Sequence, residues 1–141
     1  MPPPRTSFPV TPAEPAQSFA EALAHHRAGR TLEAVAEVER VVAGAREIGD
    51  DALERRGLTA LGELAWRTGD VARAEEILGA ARERHHGAGD RAGEGRALRL
   101  LARVAYTQHR FADAEELGTA ALAIHRAMED RGEVGMALAE L

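Results

Sequence analysis

The 141-residue chain has no Cys, no Lys and no Asn, and its aromatic residues number only five: one Trp, one Tyr and three Phe. Without Cys there is no disulfide framework, no thiolate zinc site and no thiol catalysis. Ser is confined to Ser7 and Ser18, which leaves almost nothing from which to build a serine nucleophile. All 18 basic side chains are Arg and are outnumbered by 23 acidic ones, for a formal charge of −5. Whole-molecule attraction to nucleic acid or anionic lipid is therefore not expected, and any anion binding must be local. No apolar run approaches the ~20 residues of a membrane span. Near the N-terminus Pro and Arg5 interrupt the apolar residues, so a secretory signal is not expected and the cytoplasm is the expected location. Pro is absent after Pro15, and all six lie within the first fifteen residues. Residues 1–11 are predicted to be a disordered Pro-rich tail, with a PxxP-type ligand as the lesser reading. Nothing beyond it forbids helix.

What the chain has in abundance is Ala, at 30 positions, and a length suited to one ordinary domain. Self-comparison finds a period of 40. Asp50, Asp90 and Asp130 fall in register, as do Leu58 with Leu98, Leu61 with Leu101, Trp66 with Tyr106, Ala74 with Ala114, and Glu75-Glu76 with Glu115-Glu116. The frame extends backwards through Ala34 to Ala74, Val38 to Leu78, and Gly49-Asp50 to Gly89-Asp90. A repeat of this length implies stacked supersecondary units that share one continuous core.

Inside each unit the apolar spacing is helical: Leu58, Leu61, Leu64 and Ala65 mark one stripe, and Ala74, Ile77, Leu78 and Ala81 a second. Between them, Thr68-Gly69-Asp70 supplies a Gly to end one helix in the left-handed region and an Asp to cap the next. Gly49-Asp50 and Gly89-Asp90 repeat that chemistry between units. The expected fold is all-α, with helices near 12–28, 31–47, 51–68, 71–87, 91–108 and 111–128 and a seventh starting near 132. The repeat domain then spans 12–141, in units of about 12–49, 50–89 and 90–129 plus a partial 130–141. That last piece, with Leu138 and Leu141 at apolar positions, either caps the stack or continues it, into a longer array or a second copy forming a homo-oligomer.

Leu58, Leu61-Gly62, Ala65, Ala74, Leu78 and Ala81 resemble the tetratricopeptide repeat, as do Leu98, Leu101-Ala102, Ala105, Ala114 and Ala121 in the next unit. The first unit departs from the pattern at Ser18, Glu21 and His25, and Gly118 replaces a usual bulky residue in the third. The period resembles the extended, roughly 40-residue variety found in bacterial regulators and signalling proteins. The Ala- and Arg-rich composition resembles high-GC actinobacterial proteins. The resemblance implies an α-α superhelix of three hairpins plus a partial helix, and small residues such as Gly62, Ala22 and Ala102 suit the points where two helices of a hairpin cross.

Converging reactive groups are hard to find. His25-His26 and His85-His86 are adjacent pairs that diverge by about 100° on a helix and cannot share a metal as i, i+4 pairs do. There is no HExxH motif and no phosphate-binding glycine loop followed by Lys. Glu75-Glu76 and Glu115-Glu116 read as a solvated face. Neither a metal nor a cofactor is expected, and the chain is not expected to be an enzyme.

The resemblance implies that the first helix of each unit lines a concave groove. On this chain that lining is Phe19, Leu23, His26 and Arg27, then Arg56, Thr59, Glu63, Trp66 and Arg67, then Arg96, Arg99, Arg103, Tyr106 and Thr107. Independently, Arg96, Arg99 and Arg103 stand at i, i+3 and i+7, on one face of one helix, and like charges so placed repel unless a carboxylate answers them. His26, Trp66 and Tyr106 recur every 40 residues beside them. A locally basic, aromatic-edged groove for an acidic peptide or protein segment is one reading, and a solvated Arg face with Trp66 as core filler is the other. The leading functional reading is a non-catalytic interaction scaffold or adaptor. The alternative is a regulatory or oligomerisation module of a bacterial transcriptional or signalling protein, which would not itself touch nucleic acid because it lacks a basic helix-turn-helix. A ligand-binding or catalytic site from His26, Glu63 and Arg103 ranks third.

Overall fold

The computed structural model describes residues 30–139, with side chains from Arg30 to Glu129. Five helices follow one another: α1 Thr31–Ile48, α2 Asp51–Arg67, α3 Val71–Gly87, α4 Arg91–Thr107 and α5 Phe111–Ala139. The described residues contain no strand. The 40-residue period is literal, since α1, α3 and α5 begin at 31, 71 and 111 and α2 and α4 at 51 and 91. The expected tail and the first expected helix, with Ala22, lie outside the described residues.

The joints explain why the period holds. Gly49, Gly69 and Gly89 adopt φ of 73°, 88° and 70°, the left-handed conformation that costs Gly nothing. At the fourth joint His109 does the same at 59°. At each joint the next residue's N–H donates back five positions at 2.9 Å: Asp50 to Ala45, Asp70 to Ala65, Asp90 to His85 and Arg110 to Ala105. This Schellman-type closure satisfies carbonyls that a helix end would otherwise leave bare. The Asp side chains then cap the following helices, accepting from the N–H groups of Leu53, Arg73 and Gly93 at 3.0, 3.3 and 3.0 Å. Each such cap contributes about 1 kcal/mol.

Neighbouring helices pack in sequence, and α2 also meets α4 directly. The core is a repeated inter-unit joint. Ala34 and Val38 of α1 receive Leu61 and Leu64 of α2, with Ala60 beside them. One unit later, Ala74 and Leu78 of α3 receive Leu100, Leu101 and Val104 of α4. Leu78 is wholly buried, which is worth roughly 1.5–3 kcal/mol relative to exposure. Gly62 permits this approach, because a Cβ there would lie 2.5 Å from Leu78 Cγ. Gly57 is similarly pressed, 2.7 Å from Val42 Cγ2.

Polar ties join the same units. The Glu54 carboxylate, buried between helices, takes Arg46 Nε at 3.0 Å and Arg84 Nη1 at 2.6 Å, linking α1, α2 and α3. His85, 1% exposed, places Nε2 2.8 Å from the Thr59 hydroxyl and Nδ1 2.9 Å from Asp90 Oδ2. Its ring lies against Gly93, where a side chain could not be accommodated. His85 is thus a structural junction. The Glu75 carboxylate, expected to be solvated, stays at the surface, with 42% of its side chain exposed, but is tied by Arg110 Nη1 at 2.9 Å and Gln108 Nε2 at 3.2 Å.

One expectation about the helices fails. The helix predicted to begin near 132 is not separate, because α5 continues unbroken for 29 residues. Its cause is local: Glu129 stands where the two earlier units have Gly49 and Gly89, so the left-handed stop is missing.

Two predictions follow from packing and charge. Gly62→Leu overpacks the α2–α3 crossing and lowers stability by about 1–3 kcal/mol, whereas Gly79→Ala, with open space around it, raises stability by about 0.5–1 kcal/mol. Chemical denaturation of both variants checks the pair, and a neutral Gly62→Leu would refute the crossing. Arg84 and Arg46 hold the Glu54 carboxyl below its ordinary range, Arg110 and Gln108 do so for Glu75, and the Gly93 amide with His85 does so for Asp90. Depressed folded-state values mean that this stability is fully present above the ordinary carboxylate range near pH 4 and is lost as pH falls through it. Melting temperature should therefore fall on acidification from about pH 5 to 3, less steeply in Glu54→Gln.

Candidate binding face

The first helices of two units, α2 and α4, touch, while among the described residues no such backbone contact joins α1 to α3 or α3 to α5. The α2–α4 wall is therefore the more crowded side of the stack. On α4 it presents Arg96, Arg99, Arg103 and Tyr106, all exposed and spaced along one face. None of the three Arg makes an ion pair among the described residues. Other Arg side chains are engaged: Arg73 with Glu39 at 3.0 Å, Arg110 with Glu75 at 2.9 Å, and Arg84 with Glu54.

On α2 the arrangement is more self-contained. Glu63 accepts from Arg67 Nη2 at 3.1 Å, and the Arg67 guanidinium sits 5.7 Å from the centre of the Trp66 ring. Arg56 is exposed. Thr59 is not part of any wall; it is 4% exposed and faces His85 inside the unit. Its hydroxyl also donates to the Arg55 carbonyl at 3.1 Å, so it serves the interior. Phe19, Leu23, His26 and Arg27 lie outside the described residues.

The expected ring row divides. Trp66 is half-buried against the cluster of Ala65, Ala74, Leu78, Leu100, Leu101 and Val104, and its indole N–H donates to Thr107 Oγ1 at 2.9 Å across the seam between units. It fills an interface. Tyr106, its counterpart one unit on, is 66% exposed and meets the nearby Phe111 ring at 5.2 Å edge-on. Beside Tyr106 opens a hollow of about 460 Å³ between α4 and α5, lined by Arg99, Ala102, Arg103, Tyr106, Phe111, Ala114 and Glu115. Phe111, Ala114 and Glu115 did not figure among the expected site residues. The 40-residue frame carries the signal, since they stand where the preceding unit has Val71, Ala74 and Glu75.

The tetratricopeptide repeat model matches residues 56–127, just over half of the chain. The chain belongs to the tetratricopeptide repeat family. None of the curated proteins compared with it matches. Tetratricopeptide repeats generally mediate protein–protein interaction, and these helices have the all-α stacked architecture of such repeats. Among the described residues there is no group of three or more His, Asp or Glu able to hold a metal ion, and no helix is long and apolar enough to cross a membrane.

The two rings of the tetratricopeptide row separate experimentally. Trp66→Ala should lower unfolding free energy by about 2–3 kcal/mol through loss of seam packing and its hydrogen bond, whereas Tyr106→Ala should change it by less than about 1 kcal/mol. Equal losses in urea titrations would contradict the different placements of these residues.

Proposed function

We propose that this tetratricopeptide repeat chain is a non-catalytic scaffold that holds an acidic peptide or protein segment against the wall formed by α2 and α4. The observation that carries this reading is the Arg96, Arg99 and Arg103 stripe, exposed on one helical face with no ion pair among the described residues. In a protein of net charge −5, with Arg repeatedly drawn into ion pairs elsewhere, three neighbouring guanidinium groups without carboxylates are a recognition feature in waiting. Each can grip a carboxylate in two-point fashion, and relief of their mutual repulsion adds to binding. Arg56, Arg67 and Trp66 extend the same wall along α2. Residues 19–27, with Phe19, Leu23, His26 and Arg27, would extend it by the repeat frame. Electrostatic steering by such a stripe speeds capture and makes it salt-sensitive.

A triple variant tests the reading. Affinity purification with the wild-type chain should retain a protein partner that elutes as salt is raised to about 0.5 M. Arg96→Glu with Arg99→Glu and Arg103→Glu should lose that partner while circular dichroism shows unchanged helicity. Undiminished retention by the triple variant would remove the groove as the binding element.

A further inference from the structure

The α4–α5 hairpin ends in a face that the two earlier steps of the stack do not leave bare. On α1 that face is Ala34 and Val38, and α2 covers it with Ala60, Leu61 and Leu64. On α3 it is Ala74 and Leu78, and α4 covers it with Leu100, Leu101 and Val104. On α5 the frame brings Ala114 and Gly118 to the same positions, and no described helix covers them. Three observations converge there. The hollow of about 460 Å³ opens at this place. Phe111, successor to Val71, is 53% exposed. Tyr106 is uncovered where Trp66 is sealed by α4 through Thr107.

We infer that this end face is a second docking site, built to seat an amphipathic helix from a partner protein with aliphatic residues at i, i+1 and i+4 and a guanidinium in the turn that ends the helix, ten residues after the first aliphatic one. The pattern is that of Leu100, Leu101 and Val104, the row that α4 presents to the unit before it, followed by Arg110 in the turn beyond α4. The charge specification comes from Glu115. It occupies the register of Glu75, whose carboxylate takes Arg110 Nη1 at 2.9 Å, and it makes no ion pair among the described residues. The bulk specification comes from Gly118. A Cβ placed there would meet only Ala102 Cβ at 4.0 Å, so the incoming helix must fill the space that Leu78 fills one unit earlier. A second copy docking head to tail is the poorer occupant. The frame puts Ala20, Glu21 and Ala24 of its first unit where α4 carries Leu100, Leu101 and Val104. That row is thin, and it carries a carboxylate.

The inference does not rest on the acidic-segment reading, although Arg99, Arg103 and Tyr106 border both surfaces. Its test uses residues outside the Arg stripe, so the failure of one is separable from the failure of the other. The probe is a fluorescein-labelled peptide of this chain's own residues 90–110, titrated with the full protein and followed by anisotropy. Saturable binding is expected, weakened at least about tenfold by Ala114→Arg, which blocks the hollow from its open side. Glu115→Arg should weaken the wild-type peptide about fivefold, and the peptide carrying Arg110→Glu should recover that loss on the Glu115→Arg protein. Absence of binding, or binding indifferent to Ala114→Arg and to the charge exchange, would overturn the proposal. Sedimentation velocity closes the other route, since self-association abolished by Ala114→Arg would give the face to a second copy and also overturn it.

Discussion

The structure depends on one contact made twice: the aliphatic row of a unit's first helix settling onto a small residue and a large one in the second helix of the unit before. Ala34 with Val38, and Ala74 with Leu78, form the two seats. A small residue admits the neighbouring helix closely, and a large one locks its position along the axis. Because the hairpin crossing must also be tight, Gly62 answers Leu78 from within the same unit. Remove the seat and there is no second unit to complete the wall that α2 and α4 share. In this sense the candidate binding face is a product of the core. In a linear array a seat acts only on its neighbour, so each joint can be weakened or strengthened almost independently.

The joints enforce the register that the seats require. A left-handed residue followed by an Asp turns the chain within two or three residues and offers caps to both helices, so an interior helix has little freedom to slide. The fourth joint reaches the same geometry by other means. His109 accepts a conformation that a side chain disfavours, and Arg110 replaces the capping Asp, bonding Asp113 at 3.0 Å and reaching back to Glu75. A cap on the helix ahead has been exchanged for a tie to the unit behind. Such an exchange strengthens the inter-unit contact where α4 closes over α3.

The architecture was legible because it rests on periodic small and apolar residues, and period survives without knowledge of partners. Asp50, Asp70 and Asp90 announce their turns by residue type alone, and each turn is where the spacing puts it. Side-chain destinations were less legible. Thr59 falls on the same helical face as Glu63 and Trp66, and only the ring of His85 across the crossing draws it inside. Glu75 is a surface carboxylate, and nothing near it in sequence announces the ion pair with Arg110, 35 residues later. Trp66 and Tyr106 are equivalent in sequence and unequal in exposure, because burial in a stack is conferred by the following unit. The continuation of α5 past residue 129 turned on a missing Gly, an absence that an intact Asp130 in register concealed.

Gly118 and Glu129 have a common physical meaning. Each replaces a residue that, in the preceding unit, exists to receive or to turn toward another helix: Leu78 for the seat, Gly89 for the turn. A Leu at 118 would add an aliphatic projection to a face already carrying Tyr106 and Phe111, and contiguous exposed apolar surface of that kind invites indiscriminate association. Gly118 instead keeps the hollow open while contributing little stickiness of its own, and Arg99, Arg103 and Glu115 rim it with charge of both signs. Such a face is selective: a helix lacking bulk leaves a void, and one lacking the matching charges leaves the rim unanswered. The departures from the repeat at this end thus act in one direction, trading cohesion within the chain for discrimination in what settles upon it.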